Sequence, residues 1–565
     1  MIETAKPGVF RVNGSTFVDI VSMGYVKQNN VGLTRHRCEC LVKSGFKRLL
    51  SGLAFFVCLS ACDGSSQNQP AAGNVTLAET DTTAGFQPTR NIEPAEIVID
   101  NVANGSSVIV VDSPLTNAEN NGLQQARFAT AGTIETHAQR VGSIEAGRRA
   151  LLEEPYVSCG IPESAYRELL AGAEIVQVEG RTPAADGLPY SVNVFANDDG
   201  INIVSNNCLT CHGTPLFGKL VIGLGNEFLD FTGDASQQAE SAGVLVRGEA
   251  ETRAWELYAD RISVIAPYSR PHTVGVNPAN NLTFALIAHR KAADNAWSEV
   301  PLLPLPPTDV PPVSVPPWWR MSKKPAMFNM GEGRLDHARI MMSASMLCTD
   351  SLEELEKIDR YAPDLRAYLA SLSPPDYPFP VEQALADAGQ EVFSDHCAHC
   401  HGTYTGEESY PARLVPIDVI QTDRTLVEFA HGAGAVYVDW YNRSYYGKIS
   451  AMAPGPGYVA PPLDGIWATA PFLHNGSVPS IEMVLDSKQR PRYWQHDVRD
   501  AANPQSYDQQ RLGWAHTELA KGKSSVDDVR VYDTTLPGYS NNGHLFGDHL
   551  TDNERRSVIE YLKTL

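Results

Sequence analysis

Positive charge is scarce in this chain: 45 Lys and Arg stand against 66 Asp and Glu, a formal net charge of −21 over 565 residues. A partner that presents phosphates needs clustered cations, so this balance excludes nucleic acid. An acidic surface keeps the chain soluble and can steer basic redox partners. Long apolar runs are lacking as well, and the apolar stretch at residues 49–57 is too short to span a bilayer. Cysteine is sparse, 10 in all, so each one can be accounted for. With 43% hydrophobic residues the chain is not disordered as a whole, and it can bury one large core or two to three smaller ones.

What stands out against that background is a repeated signature, Cys208-Leu209-Thr210-Cys211-His212 and Cys397-Ala398-His399-Cys400-His401. Two thiols three positions apart at the start of a helix can reach the two vinyl groups of one porphyrin. The adjacent imidazole then lies under the iron as its proximal ligand. Zinc is the rival occupant of paired Cys-x-x-Cys motifs, but a ribbon needs its pairs roughly 15–20 residues apart, and here they are far more distant. The cofactor expectation is two covalently bound haem c groups. Cys208, Cys211, Cys397 and Cys400 carry the thioethers, and His212 and His401 bind iron.

The remaining cysteines fit an exported protein. Lys43, Lys47 and Arg48 precede the apolar run, which ends at Leu59-Ser60-Ala61-Cys62. A basic region, a short apolar core and a small-residue cleavage site make a signal peptide, and the last four residues resemble a lipobox. The expectation is a protein on the periplasmic side of a bacterial membrane, held to the membrane surface by lipid at Cys62. Residues before Lys43 fit no signal pattern, so translation is expected to begin near Leu41 or Val42. Cys38, Cys40 and Cys58 leave with the leader. Cys159 and Cys348 then remain, to pair in an oxidising compartment or to stay as separately buried thiols.

The expected organisation is a leader (residues 1–62), a flexible tether (63–95), an N-terminal haem domain (96–300), a proline-rich connection with a helical segment covering the haem crevice (301–380) and a C-terminal cytochrome c-like haem domain (381–565). Alternation over residues 97–114 predicts a short strand pair, and a helical pattern develops from about Thr133 to Leu152. Eight prolines between 301 and 319 exclude helix there. Ser351-Leu352-Glu353-Glu354 and Thr551-Asp552-Asn553-Glu554 read as capping boxes that open helices. The fold class expected is mainly α: two class I cytochrome c-like haem domains with long loops and a few short strands. In that class, a first helix of the form Gly389-x-x-Val392-Phe393-x-x-x-Cys397 crosses a C-terminal helix.

The stretch from Pro461 through Thr469-Ala470-Pro471-Phe472-Leu473-His474-Asn475-Gly476 to Ser480 resembles the Thr-Ala-Pro-Tyr-Phe-His-Asp-Gly segment of di-haem cytochrome c peroxidases. The same segment marks their relatives, the methylamine-utilisation di-haem enzyme and the bacterial rubber oxygenase. The resemblance covers roughly residues 140–565 and is thinner between Gly213 and Pro317. It implies an oxidoreductase in which one haem relays electrons while the other keeps a position where peroxide or dioxygen reacts, fed by a redox partner protein or a small electron donor. Calcium, held between domains in some relatives, has no readable ligand set here.

The second iron ligand opposite His401 is open among His544, His474, Met452 and Met483, with His544 favoured by its flanking Gly543 and Gly547. His474 is expected to bond a haem propionate or line the pocket. Opposite His212, methionines, His272 and His337 are available, and Phe328 or Trp319 is expected to cover an open iron face, as aromatic residues do in the rubber oxygenase. Arg320, Arg334 and Arg443 are candidates to neutralise propionates. Trp318, Trp319 and Trp467 are candidates for an electron path. The length of the chain favours the rubber-oxygenase branch, whereas a lipid anchor does not, and no distal acid can be named. The rival readings are a pure electron carrier with both irons fully ligated, and a haem-based sensor, against which stands the lack of a signalling module after the haem motifs.

Overall fold

The computed structural model describes residues 132–565, together with a strand pair joining Arg11–Val12 to Ser15–Thr16. The signal-like run at residues 43–62 with Cys62, the tether and the alternation at residues 97–114 lie outside the described residues.

Helix α1 (Ile144–Glu153) is capped by Ser143, whose hydroxyl accepts from the Ala146 N–H. An antiparallel hairpin, β1 (Val192–Ala196) and β2 (Asn202–Asn206), leads into the single turn α2 (Leu209–His212). A second hairpin, β3 (Gly213–Leu216) and β4 (Lys219–Ile222), leaves it. Asn207 locks the entry: its side chain accepts from the Leu209 N–H (2.9 Å) and donates to Asn193 and to the Tyr190 carbonyl. The first Cys-x-x-Cys-His motif is thus one helical turn gripped between hairpins.

The proline-rich stretch stays irregular until the 3-10 turn Trp318–Ser322, as its missing N–H groups require. β5 (Gly333–Leu335) precedes α3 (Leu352–Ala370), which Ser351 caps by accepting from the Glu354 N–H. Helix α4 (Gln383–His396) runs directly into α5 (Ala398–His401), the second motif. Strand β6 (Ser450–Met452) pairs back onto β5, and the chain closes on α6 (Asp552–Leu562), whose capping box at Thr551 and Glu554 is complete.

Helix α1 crosses α3, and α4 crosses α6, each through a glycine. A Cβ on Gly147 would lie 1.9 Å from the Asp364 carbonyl oxygen, and one on Gly389 1.9 Å from that of Ser557. Backbone touches backbone at both crossings, so any side chain there forces the helices apart. Leu151, Leu209, Trp318, Leu355 and Leu365 belong to the core around the first motif; Phe393, Trp467, Ile481, Val558 and Leu562 belong to the core around the second. Cys159 and Cys348 are joined by a disulfide with Cα atoms 5.8 Å apart, a separation suited to that bond.

The expectation of a mainly α fold built as two class I cytochrome c-like haem domains is corrected here. Helices take 37% of the described residues and strands 13%, in small sheets with no closed barrel. The physical reason lies in composition and tethering. A chain with 44 Gly and 38 Pro interrupts helices often, and its loops are fixed by side chains such as Arg490, Asn475 and Arg181, which bond carbonyls that helices would otherwise satisfy.

Candidate haem sites

At the second motif, α4 delivers Cys397 and α5 delivers Cys400 and His401 to the edge of an apolar cavity of about 250 Å³. The Nδ1–H of His401 donates to the Pro461 carbonyl (2.8 Å), which fixes the ring and leaves Nε2 free for a metal. The His544 ring faces that of His401 with centroids 6.3 Å apart. Two imidazoles bound to opposite faces of one iron, each with a bond of about 2 Å, need centroids about 6 Å apart.

His544 is held in place by backbone geometry. It adopts φ 48° after Gly543 at φ 75°, where a Cβ would meet the Gln421 carbonyl carbon at 2.2 Å. Its N–H donates to the Ile420 carbonyl (2.8 Å), and Arg490 donates to the carbonyls of Asn541, Gly543 and His544. Burial pulls His401 down to about 4, with the charges of His399 and Arg320 adding to the effect, and His544 to about 3, with those of His401 and Arg490 adding. Both rings are therefore neutral at physiological pH, the form that binds metal. Burial also pushes the Cys397 thiol up to about 12 and Cys400 to about 11.

His474 lines this cavity, stacks on Tyr458 with centroids 4.0 Å apart, and is pulled down to about 4 by burial, against the pull of Asp423. Arg320 also lines it: Nε donates to the Asp464 carbonyl (3.1 Å), and the buried Nη2 has no partner. An unpaired guanidinium nitrogen aimed at an apolar cavity fits a ligand carboxylate.

At the first motif, Cys208, Cys211 and His212 open onto a larger cavity of about 580 Å³. Phe231, Phe284, Phe429 and Tyr437 contribute to its largely apolar lining. The Trp318 ring stacks on His212, centroids 4.5 Å apart and 21° from parallel. Among the described residues, no second imidazole stands at axial spacing from His212. His337 lines the cavity, but its Nε2 is turned to the Pro325 carbonyl (3.3 Å), and His272 sits by Asp309 near the surface. Burial pulls His212 to about 4 and lifts Cys208 and Cys211 to about 12.

Several expected site residues fall elsewhere. Met452 lines the first cavity and not the second, because β6 pairs with β5 on that side; it does not stand opposite His401. Met483 is buried in the core beside the second cavity. Trp319 lines neither cavity: successive residues of a 3-10 turn point about 120° apart, so Trp318 takes the cavity face while Trp319 turns to the core and donates to the Asp464 carbonyl (2.8 Å). Phe328 lines both cavities from a left-handed backbone (φ 67°). Arg443 pairs with Asp439 at the surface, whereas Arg334 is partly buried with an unpaired Nε.

Three site residues went unmarked in the sequence. Arg490 clamps the His544 loop, Lys324 lines both cavities, and Glu332 lines the first. Glu332 accepts from the Met330 N–H (3.1 Å) and is raised by burial to about 7, while burial and Arg320 lower Lys324 to about 8. No spacing rule picks these out. Among the described residues, no group of three or more His, Cys, Asp or Glu side chains is placed to hold a metal ion. None of the described helices is long and apolar enough to cross a membrane.

Residues 457–495 match a family described as RoxA-like, cytochrome c-like. That segment contains His474 and runs through Arg490. The chain is 28% identical over 290 residues to the uncharacterised protein y4iJ of Sinorhizobium fredii, covering 39% of this chain and 46% of that protein. It is 31% identical over 237 residues to the uncharacterised protein y4iM of the same organism, covering 35% and 52%. The chain therefore spans about half the length of the curated relatives it matches. Site and match together support a c-type cytochrome that carries haem and does redox chemistry. The likeness to the RoxA-like group extends over residues 457–495.

Proposed function

We propose that this chain is a di-haem oxidoreductase in which His401 and His544 hold one iron from both faces and His212 holds the other from one face only. The observation that carries the reading is the asymmetry between the motifs. An imidazole pair spaced 6.3 Å apart spans the second cavity, whereas the ring packed on His212 is an indole. A fully ligated iron favours electron transfer, and a singly ligated one leaves room for a reactant.

The haems, when bound, supply one-electron chemistry and a site for peroxide or dioxygen. The chain does the rest. Cys208, Cys211, Cys397 and Cys400 attach the two groups. His401 and His544 would hold one iron, with Arg490 holding the His544 loop and Arg320 offering a donor to a haem carboxylate. Phe328 lines both cavities, and the larger, apolar first cavity has room for an apolar organic substrate and keeps water scarce. Glu332 is the carboxyl in that cavity able to hold or release a proton near neutral pH. Trp318, stacked on His212, extends the aromatic path away from that iron. Further parts of the proposal are a periplasmic location, a lipid anchor at Cys62 and a redox partner protein or small donor, supported by the signal-like sequence and the acidic charge.

The test is a haem count per chain with electron paramagnetic resonance of the purified protein. Two haems, one low-spin and one high-spin or becoming so on half reduction, with a response to peroxide, cyanide or carbon monoxide, is the expected result. Two low-spin centres at every redox level and no response would make the chain an electron carrier instead.

A further inference from the structure

The two cavities are separated by one strap of chain. Ser314, Pro316, Pro317, Lys324 and Phe328 line both, and Lys324 is the charged residue among them. The strap is firmly fixed. The Ser314 N–H donates to the His474 carbonyl (2.8 Å), the Ser314 hydroxyl and Val315 N–H donate to the buried Glu227 (both 2.8 Å), and the Lys324 N–H donates to the Arg320 carbonyl (3.2 Å).

Charges are distributed unequally across it. Arg320 lines the second cavity and not the first; Glu332 lines the first and not the second. Lys324 feels both, Arg320 disfavouring its charge and Glu332 favouring it. A buried ammonium needs anionic company. Haem carboxylates would provide it on the side where no acidic side chain lines the wall.

We infer that Lys324 is a positioning charge that acts on both cavities at once, raising the reduction potential of the haem on either side, while Glu332 offsets it on the first side only. The inference rests on the two-haem reading above. Reduction adds an electron, so a fixed cation beside each group stabilises the reduced form. In the intermediate dielectric of a protein interior, one such charge changes an equilibrium roughly tenfold.

The test is a spectroelectrochemical titration of the holoprotein and of Lys324→Gln, Lys324→Arg and Glu332→Gln, with the haems told apart by their low-spin and high-spin bands. Lys324→Gln should lower the reduced-to-oxidised ratio at a given applied potential roughly tenfold at both haems. Lys324→Arg should leave both unchanged, and Glu332→Gln should raise the ratio at the high-spin haem alone. A shift confined to one haem in Lys324→Gln, no shift at either, or Lys324→Arg behaving like Lys324→Gln overturns the inference. Should Lys324→Gln fail to take up haem, the other two variants decide, because Glu332→Gln moving neither haem, or both, also overturns it. A haem count below two in the unaltered protein would instead defeat the underlying reading, and is measured first.

Discussion

The imidazoles of His401 and His544 face each other across the second cavity with ring centroids 6.3 Å apart, and Arg490 grips the carbonyl oxygens of the loop that carries His544. Replacing His544 with Ala is expected to convert the second haem from low spin to high spin without loss of its covalent attachment, since both thioethers remain. Visible and paramagnetic resonance spectra check this. An unchanged low-spin signal would reject His544 as ligand. Arg490→Gln should give a mixture of the two spin states, because it loosens the loop without removing the ring.

Gly389 leaves no room for a side chain at the α4–α6 crossing, where a Cβ would sit 1.9 Å from the Ser557 carbonyl oxygen. Gly389→Ala should cost about 3 kcal/mol by overpacking and lower haem incorporation at the second motif more than at the first. Thermal unfolding with peptide-level haem mapping tests this. Equal loss at both motifs would count against a local effect.

Glu227 is buried and raised to about 8, burial outweighing the hydrogen bonds from Ser314 and Val315. In the unfolded chain its pKa returns to the ordinary carboxylate range near 4. The folded state thus binds the proton more tightly, and the stabilisation is fully present below about pH 4 and lost as pH rises through about 8. Between those limits the loss is on the order of 5 kcal/mol. Glu227→Gln should flatten the decline, stabilising the protein more at pH 8 than at pH 5 in denaturant titrations at the two pH values.

Removal of the Cys159–Cys348 disulfide, which spans 189 residues, should destabilise the protein by about 5 kcal/mol or less. The double variant Cys159→Ala/Cys348→Ala is expected to keep both haems and lose thermal stability. Mass spectrometry before and after reduction, with alkylation of both thiols only afterwards, verifies the bond.

Local patterns carried the legible part of this protein. The caps at Ser351 and Thr551 and the Gly389 crossing are set within a few residues, and each matches the structure, while the two Cys-x-x-Cys-His motifs each form a helical turn that lines a cavity. The disulfide was one of two outcomes open for Cys159 and Cys348. Placement across the chain was less readable. Trp318 and Trp319 are neighbours with one chemistry, and only the phase of a 3-10 turn decides which reaches His212. Met452 is assigned to the first cavity by a strand pairing with residues more than a hundred positions earlier. Lys324, Glu332 and Arg490 acquire meaning from what folds against them, and nothing adjacent marks them. The excess of helix expected came from reading the helical segments and passing over loops that are fixed by side-chain bonds.

The proline strap at residues 314–328 presents surfaces to two chambers simultaneously. A substitution in that stretch therefore alters both walls at once, and its fit in one chamber does not guarantee its fit in the other. The two walls are coupled through that segment, even where the remaining residues of each chamber are not shared.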